Sequence, residues 1–222
     1  MTRGVFVTGT DTGVGKTTVA CALLRRYAAA DLRAVGMKPV AAGGGEENGD
    51  LAALAAAGNV DAPMSARCPY AFEDAIAPHL AASAAGVTID IHRIQKSYEE
   101  LSSRADRIVV EGAGGALAPL GEETDMLDIA RALAVPVLMV VGIRLGCLNH
   151  ALLTSLAIRA RGLELVGWIA NRIDPAMPCQ DENVAALEHR LAAPRIASVA
   201  WGRADAPEWS ANGAASQLFE CR

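Results

Sequence analysis

The sequence predicts an α/β fold: a doubly wound, mostly parallel sheet with helices on both faces. Short apolar runs alternate with longer segments of helical periodicity, a pattern typical of parallel strands joined by right-handed helical crossovers. At 222 residues, 52% of them hydrophobic, the chain has the size and apolar content for a single domain spanning residues 1–222. Residues that carry chemistry recur just after the apolar runs, where ligands bind in such sheets.

The strands and helices of this fold can be located from the periodicity of the apolar residues. Strands are predicted at residues 4–8, 34–40, 107–110, 135–141, 165–170 and 195–200. Helices are predicted at residues 16–30, 50–58, 92–103, 124–133, 149–161 and 182–191. Residues 41–49 are rich in Gly and Glu and predict a mobile loop. The tail after Trp201, with Pro207, Asn212 and Gly213, is expected to be irregular.

Composition and charge argue against several classes of protein. A net charge of -5 disfavours binding to nucleic acid or to an anionic membrane. The longest apolar stretch, residues 132–143, is interrupted by Pro136 and Gly142 and is too short to span a bilayer. The N-terminus lacks the pattern of a signal peptide. The five cysteines are odd in number and widely spaced, which indicates reduced thiols in a cytoplasmic protein rather than disulfides or a zinc site. They are Cys21, Cys68, Cys147, Cys179 and Cys221.

The first motif is a Gly-rich loop, Gly-Thr-Asp-Thr-Gly-Val-Gly-Lys-Thr, at residues 9–17. Its glycines let backbone N–H groups turn toward phosphate oxygens, and the following helix directs its positive end at them. Lys16 is placed to reach the β- and γ-phosphates, and the Thr17 hydroxyl to bind Mg²⁺. Gly9 and Gly15 enclose five residues where the usual pattern has four, and a Gly-rich turn with an incidental Lys is the alternative. We favour a P-loop NTPase fold that binds a nucleoside triphosphate with Mg²⁺.

The second motif follows the strand at residues 107–110. Glu111 ends this apolar run, and a glycine run from Gly112 to Gly115 comes next. In a P-loop protein an acidic residue here binds Mg²⁺ directly or through water, and the glycines let a phosphate or substrate approach the backbone. A strand ending in a tight turn is the alternative. Beside the first motif, we favour the functional interpretation.

The third motif is Lys38, one of only three lysines, at the end of the second strand. Because Lys is a compact and mobile cation, its amine is suited to face a γ-phosphate, although a lone Lys at a strand end is more often a solvated charge. Asp50 can complete a Mg²⁺ site or cap the helix that it opens. For Asp50 alone, capping is the favoured interpretation.

Two further motifs also end strands. Residues 141–150 combine a strand end, a Gly-containing loop and a helix start, where free N–H groups suit a carboxylate. An ordinary helix cap by Asn149 and a filler role for Cys147 are the alternatives. Asn171 follows the strand at residues 165–170, and its amide can pair with a purine edge or simply form a turn.

Together these segments resemble the dethiobiotin synthetase family. The matching segments are residues 9–17, 38–40 (Lys-Pro-Val), 110–115 (Val-Glu-Gly-Ala-Gly-Gly), 142–150 (Gly-Ile-Arg-Leu-Gly-Cys-Leu-Asn-His) and 168–171 (Trp-Ile-Ala-Asn). Their order and spacing agree with the family from residue 4 to residue 171. The family's form of the loop also accounts for its extra residue.

The resemblance implies an ATP- and Mg²⁺-dependent ligase of biotin biosynthesis. Its substrates would be 7,8-diaminononanoate, CO₂ and ATP. CO₂ would add to one amine to form a carbamate, a carbamate oxygen would attack the γ-phosphate, and the second amine would close a cyclic urea as phosphate leaves. Lys16 and Lys38 would be the catalytic cations for two anions that must approach each other. The family acts as a homodimer, with the substrate carboxylate near the partner's helix start.

The resemblance also assigns residues to each ligand. ATP would contact Gly13, Val14, Gly15, Lys16, Thr17, Thr18, Asp50, Glu111, Gly112, Ala113, Gly114, Asn171, Arg172, Ala200, Trp201, Gly202 and Glu208. The substrate would contact Thr12, Lys38, Ala42, Gly114, Gly115, Gly146, Cys147, Leu148 and Asn149. Mg²⁺ would be held by Thr17, Asp50 and Glu111.

Two positions depart from the family pattern. Ala42 stands where the family often has Ser, and Arg172 stands where it often has Asp after the base-binding Asn. Both changes bear on ligand contacts, because the first removes a hydroxyl and the second replaces an acceptor with a cation.

Two other functions compete with this interpretation. A nucleotide-switch ATPase of the partitioning or septum-positioning type would carry an additional Lys early in the loop, where Thr10 and Asp11 stand here, and such proteins use a membrane-binding amphipathic helix that this sequence lacks. An amidating ligase of cobalamin synthesis would need a glutaminase domain, for which we expect no room in 222 residues.

Overall fold

The computed structural model describes residues 4–203 and 206–210 of the chain. Asn212, Gly213 and Cys221 lie outside these residues. The strands are β1 (Gly4–Gly9), β2 (Ala34–Met37), β3 (Val40–Ala42), β4 (Tyr70–Phe72), β5 (Arg107–Glu111), β6 (Val137–Ile143), β7 (Leu165–Arg172), β8 (Arg195–Val199) and β9 (Glu208–Trp209). The helices are α1 (Lys16–Ala29), α2 (Gly49–Ala57), α3 (Met64–Arg67), α4 (Pro78–Ala84), α5 (Ile91–Arg104), α6 (Met126–Ala132), α7 (Cys147–Ala160) and α8 (Gln180–Arg190).

Seven strands form one sheet in the order β2-β5-β1-β6-β7-β8-β9. Every pair in it is parallel except β8 with β9, which is antiparallel. The chain winds from β1 in the middle toward β5 and β2 on one side and toward β6, β7 and β8 on the other. The predicted doubly wound, mostly parallel sheet is therefore confirmed, and β1 lies at its topological switch point.

The two faces of the sheet are covered by different helices. On one face, α1 and α2 pack on residues such as Val7 and Val140. On the other, α4, α5 and α6 cover one half of the sheet and α7 and α8 the other half, over residues such as Phe6 and Trp168. The run Val137–Ile143 is buried at every position, as expected for a central parallel strand that helices cover on both sides.

Several element boundaries differ from those predicted. Residues 34–40 do not form one strand, because β2 ends at Met37 and β3 joins β4 in a separate two-stranded sheet. Residues 41–49 are not one loop either: they hold the end of β3, a 3₁₀ turn (Gly45–Glu47) and the start of α2. The polar composition of this segment predicted a loop, but pairing of β3 with β4 orders it.

Some elements were not predicted at all. The helices α3 and α4 and the strand β4 are short, so each offers too few residues for a periodic signal. The predicted irregular tail contains β9, where Trp209 pairs with Ala197 and contacts the Arg26 guanidinium over its ring. None of the helices in the described residues has the length and apolar composition that crossing a membrane requires.

The helix that follows the glycine-rich loop is held by a close contact with the edge of the sheet. Leu24 of α1 is fully buried, and its Cδ1 atom lies 3.1 Å from where a Cβ on Gly36 would stand. We expect Leu24→Ala to lower the free energy of unfolding by about 2–5 kcal/mol, because it opens a cavity between α1 and β2. Urea unfolding followed by circular dichroism measures this change.

The neighbouring Arg25 gives the matched control, because it is exposed on the same helix. Arg25→Ala should change the unfolding free energy by about 0.5 kcal/mol or less. Equal losses in the two variants would contradict the placement of Leu24 in the core.

Candidate functional site

The P-loop (residues 9–17) connects β1 to α1 at the carboxyl edge of the sheet. Gly13 and Gly15 adopt left-handed backbone angles, with φ of 74° and 88°, which glycine tolerates best. Asn171 at the end of β7 donates from Nδ2 to the Val14 carbonyl oxygen at 2.8 Å. A Cβ at Gly15 would collide with that same nitrogen. The loop therefore keeps its shape because a distant strand end fits against a residue without a side chain.

A cluster of four polar side chains lies beside the start of α1. The Thr17 Oγ1 atom lies 2.9 Å from the Asp50 Oδ1 and 2.9 Å from the Glu111 Oε1. The Lys38 Nζ donates to the Asp50 Oδ2 at 2.5 Å and to the Glu111 Oε1 at 2.7 Å. These residues come from α1, α2, the end of β5 and the turn after β2. The structure thus brings together the predicted metal ligands and one of the two predicted catalytic lysines.

Asp50 does not cap its helix, so the interpretation favoured for it from sequence is wrong. The cap is Asn48, whose Oδ1 accepts the backbone N–H groups of Asp50 and Leu51. Because α2 starts at Gly49 rather than at Asp50, the Asp50 side chain is left available for the cluster.

The local environment shifts the pKa values of the cluster in opposite directions. Burial raises the pKa of Glu111, although Lys38 beside it pulls in the other direction. Burial would lower the pKa of Lys38, but the charge of Glu111 and the hydrogen bonds to Asp50 and Glu111 outweigh it and raise that pKa. Burial would raise the pKa of Asp50, but its hydrogen bond to Lys38 and the Lys38 charge lower it. At neutral pH, Lys38 is therefore a cation held between acidic groups.

The oxygen atoms of this cluster fit a Mg²⁺ ion. The Glu111 Oε2 is buried and has no hydrogen-bond partner among the described residues, so a carboxylate oxygen is left for another ligand. Hydroxyl and carboxylate oxygens are the donors that Mg²⁺ prefers, and it usually keeps several waters rather than filling a protein cage.

Lys16 directly precedes Thr17 and lies close enough to this cluster for the charges of Glu111, Lys38 and Asp50 to act on its pKa. Its Nζ donates to the Asp11 carbonyl oxygen at 3.1 Å. Its pKa is lowered, mainly by burial, and the Glu111 carboxylate partly opposes this. An ammonium that burial has stripped of water interacts strongly with an anion that replaces the water. Lys16 is thus suited to a polyphosphate.

The second glycine run lies directly against the P-loop. The Gly112 N–H donates to the Val7 carbonyl at 3.0 Å, and the Ala113 N–H donates to the Met126 sulfur at 3.4 Å. A Cβ on Gly114 would stand 3.7 Å from the Thr12 hydroxyl oxygen. The run therefore forms one surface with Thr12, one of the residues that the resemblance assigns to the substrate. The contact with Met126 had no signal in the sequence.

The loop between β6 and α7 places a bare helix start near the same edge. Gly146, with φ of 94°, is the N-cap of α7, and no side chain caps the helix. The predicted helix start at Asn149 is therefore wrong, and so is the alternative in which Asn149 caps the helix, since α7 begins at Cys147 and Asn149 is exposed within its first turn. Cys147 is buried, as its filler interpretation requires, and Leu148 is half-buried.

The predicted contacts to the nucleobase are grouped at the ends of β7 and β8. Asn171 is paired with Val199 in the sheet register, so Ala200, Trp201 and Gly202 follow directly beside it. The Trp201 side chain is 60% exposed at this edge. Glu208 is exposed and starts β9 beside Ser198, close to the same edge.

Arg172 does not share the environment of Asn171. Its guanidinium contacts the start of α8, bonding to Gln180 at 3.1 Å and to Asp181 at 2.5 Å. Ala42, the other departure from the family pattern, ends β3 and pairs with Phe72. The backbone of Lys38, just before β3, is held by a hydrogen bond from its N–H to the Arg67 carbonyl at 2.8 Å.

The fold by itself defines a class, the P-loop NTPase fold. The structure of the signal recognition particle receptor FtsY from Elizabethkingia anophelis in complex with GDP matches with a TM-score of 0.57 at 15% identity. The match covers 100% of this chain and 65% of that one, so this chain spans about two thirds of FtsY. The septum site-determining protein MinD of Pyrococcus horikoshii, complexed with Mg-ADP, matches with a TM-score of 0.56 at 14% identity, covering 90% of this chain and 81% of that one.

Comparison of whole sequences identifies the family to which the chain belongs within this class. The family model described as an AAA domain matches residues 3–206. A protein of Nitrosospira multiformis named ATP-dependent dethiobiotin synthetase BioD is 54% identical over 199 residues, 88% of this chain and 87% of that protein. Proteins of the same name from Aromatoleum aromaticum and a Janthinobacterium species are 51% and 49% identical, over 89% of this chain and 90% and 88% of theirs. The chain belongs to the dethiobiotin synthetase family, whose members are ATP-dependent ligases that form C–N bonds.

The buried pair of Lys38 and Glu111 predicts a pH-dependent stability. Their side chains are 6% and 0% exposed. We expect Lys38→Met to lower the unfolding free energy by about 3–5 kcal/mol near neutral pH, because it leaves a buried carboxylate without its cation. The pKa of Glu111, already raised by burial, should rise further. Since the folded state then binds a proton that the unfolded state does not, the deficit should shrink as the pH falls below that raised pKa.

Urea unfolding of the two proteins at about pH 8 and about pH 5.5 measures this effect. The matched control is Lys96→Met, since Lys96 is exposed on α5 and its replacement should cost little at either pH. A deficit that stays constant between the two pH values would contradict the assignment of the effect to Glu111.

Proposed function

We propose that this chain converts 7,8-diaminononanoate, CO₂ and ATP to dethiobiotin, ADP and phosphate, the penultimate step of biotin biosynthesis. The observation that carries the proposal is the Lys38 ammonium held between Asp50 and Glu111 beside Thr17 of the P-loop. A mobile cation next to a triphosphate loop suits a reaction in which a second anion attacks the γ-phosphate. Membership of a family of ATP-dependent ligases that form C–N bonds supports the same conclusion. We treat residues 1–222 as one catalytic domain.

Mg²⁺ would be held by Thr17, Asp50 and Glu111. When bound, it would neutralise charge on the β- and γ-phosphate oxygens. Both carboxylates already neutralise a cation in the structure, and Glu111 keeps a second buried oxygen without a partner. The donor set therefore suits a hard divalent ion.

The chemistry begins with an amine of the substrate adding to CO₂, which forms a C–N bond and releases a proton to give a carbamate. A carbamate oxygen then attacks the γ-phosphorus as ADP leaves, and this gives a carbamic-phosphoric anhydride. The second amine attacks the carbonyl carbon of the anhydride, and the bond from that carbon to the phosphate oxygen breaks as phosphate leaves. A proton is lost to solvent as the cyclic urea closes. Lys16 and Lys38 supply the positive charge that lets carbamate and triphosphate approach each other.

The substrate would lie across the surface that joins the two glycine runs. Thr12 and Gly114 are adjacent there, with Gly115 beside Gly9. Lys38 lies in the cluster of four polar side chains beside the start of α1. Ala42 contributes a methyl group where the family often has a hydroxyl. We place the substrate carboxylate at the start of α7, where no side chain occupies the cap position. Its contacts would be Gly146, Cys147, Leu148 and Asn149.

We also propose that the enzyme works as a homodimer, in which the start of α7 of one subunit serves the substrate bound to the other. The exposed leucines on and before α7, Leu145, Leu153 and Leu156, support an interface on this helix. Reduced thiols agree with a cytoplasmic location, because the cysteines of the described residues are free. The net charge of -5 makes nucleic acid or an anionic membrane an unsuitable partner.

Adenine is the base that the fixed amide of Asn171 favours. One of its two Nδ2 hydrogens goes to the Val14 carbonyl, so the amide keeps its oxygen as an acceptor and one N–H as a donor. An acceptor suits the exocyclic amino group of adenine and disfavours the carbonyl of guanine. Arg172 faces α8 instead, and so its replacement of an acidic residue leaves this preference in place. The loop of Ala200, Trp201 and Gly202, followed by Glu208, would border the base and ribose.

A coupled assay with the diamine, bicarbonate and each of several triphosphates tests this function. We expect ADP release to need the diamine, bicarbonate and Mg²⁺ together, to give dethiobiotin, and to be fastest with ATP. The expected dependence follows because no acceptor for the γ-phosphate exists until the carbamate forms. ATP hydrolysis at the same rate without the diamine would favour a nucleotide-switch ATPase and overturn the ligase assignment.

The variant Lys38→Ala tests the role of the Lys38 ammonium, the second cation beside Lys16. We expect dethiobiotin formation to fall by at least about 10²-fold, because the charge that faces the attacking carbamate is lost. ATP binding, measured by equilibrium titration, should change by less than about threefold, since Lys16 and the P-loop backbone remain. Lys96→Ala is the control and should retain full activity. Normal turnover by the Lys38 variant would remove this residue from the mechanism.

A further inference from the structure

The Lys38 ammonium contacts the same two carboxylates to which we assign Mg²⁺. Its Nζ lies 2.5 Å from the Asp50 Oδ2 and 2.7 Å from the Glu111 Oε1. The Thr17 Oγ1, the third proposed ligand, lies 2.9 Å from an oxygen of each of these carboxylates. The groups proposed to hold the metal are thus the groups that bind a side-chain cation in this structure.

Two cations cannot share these carboxylates without strong repulsion. Mg²⁺ binds oxygen at about 2.1 Å, so an ion on the Glu111 Oε1 would lie within about 5 Å of the ammonium that shares this atom. An ion on the buried Oε2 would be little farther away, because the two oxygens belong to one carboxylate. The Lys38 and Glu111 side chains are 6% and 0% exposed, and water screens like charges poorly at such a position.

The side chain of Lys38 can move while its backbone stays in place. The backbone N–H of Lys38 donates to the Arg67 carbonyl at 2.8 Å, and the carbonyl of the next residue, Pro39, accepts the Tyr70 N–H at 3.3 Å. The ammonium, in contrast, ends a flexible four-carbon stem. Its displacement would therefore relocate one charge and leave the strand ends around it undisturbed.

We propose that the Lys38 ammonium and the divalent ion compete for Asp50 and Glu111, so that Lys38 is released toward the reactants only when it yields both carboxylates to the ion. This inference rests on the proposed function, which assigns the metal ligands and the catalytic role of Lys38. It adds an order of events, because the catalytic cation is withheld until the metal is in place. It also explains how the buried carboxylate keeps a cation in the metal-free protein.

Binding of Mn²⁺ to the protein without nucleotide tests the competition. Mn²⁺ prefers the same oxygen ligands as Mg²⁺, and electron paramagnetic resonance measures its free concentration. At about pH 8, where protons compete little for the ligands, we expect Lys38→Met to lower the Kd for Mn²⁺ at least about tenfold, because no ammonium has to be displaced. With ATP present the effect should largely vanish, since the released ammonium of the wild type gains the γ-phosphate as a partner.

The other two lysines of the chain provide the controls. Lys96 is exposed on α5, and Lys96→Met should leave the Kd for Mn²⁺ unchanged. The Lys16 Nζ bonds to the Asp11 carbonyl oxygen and, within the described residues, to neither carboxylate, so Lys16→Met should change that Kd by no more than about threefold. An unchanged Kd in Lys38→Met, or equal tightening in the Lys16 and Lys38 variants, would overturn the competition.

Wild-type protein gives a second measurement, which does not depend on the stability of Lys38→Met. Acylation by acetic anhydride, quantified for each lysine by mass spectrometry, reports how available each amine is. Compared with NaCl at the same ionic strength, Mg²⁺ should raise the acylation rate of Lys38 several-fold, because the amine loses its two partners, and should leave the rate of Lys96 unchanged. A Lys38 rate that Mg²⁺ leaves the same or lowers would contradict the release.

Neither measurement involves turnover, so the inference and the proposed function can fail separately. If Lys38→Met binds Mn²⁺ more tightly but wild-type protein forms no dethiobiotin, the shared cation site holds and the ligase assignment fails. If the wild type forms dethiobiotin and Lys38→Met binds Mn²⁺ no more tightly than it does, only the competition is wrong. Failure of every variant to bind Mn²⁺ would overturn both the proposed metal ligands and the competition.

Discussion

The buried contact between the Lys38 ammonium and the Glu111 carboxylate is the interaction on which the geometry of this site depends. Removing two charged groups from water costs more than their attraction returns unless further hydrogen bonds complete the arrangement. Asp50 and Thr17 supply those bonds. Each of the four residues arrives from a different element, so the cluster forms only when β2, β5, α1 and α2 are all in place. The cluster therefore exists only in the folded domain.

Close approach of backbone to backbone is the second constraint. The P-loop can lie against the end of β7 because Gly15 has no side chain where the Asn171 amide lies. The same principle lets Gly114 sit beside Thr12. Glycines in this chain thus act less as flexible hinges than as places where two loops share one space, and the loops hold each other. A polyphosphate that binds such a preformed cradle loses little energy to ordering it.

The P-loop, Glu111, the segment before α7 and Asn171 meet at one edge of the sheet because the strands that they follow or end are parallel. The carboxyl ends of β1, β5, β6 and β7 converge there, with the phosphate loop after β1 and the second glycine run after β5. An ion pair between Asp11 and Arg144 joins the P-loop to the segment between β6 and α7. The fold provides rigid strand ends, and the ligase chemistry resides in the loops that they carry.

The sequence alone determined the fold class, the P-loop, the acidic strand end and the family, because each of these depends on a local pattern: apolar periodicity, glycine spacing or a charge after a buried run. It did not determine what depends on distance through space. Asp50 was interpreted as a helix cap, because its partners Thr17 and Glu111 are remote in sequence. The start of helix α7 was predicted at Asn149, whereas the helix begins at Cys147. The ion pair of Asp11 with Arg144 had no local signal either. Only tertiary structure decides such contacts, because they depend on which distant segments the fold brings within hydrogen-bond distance.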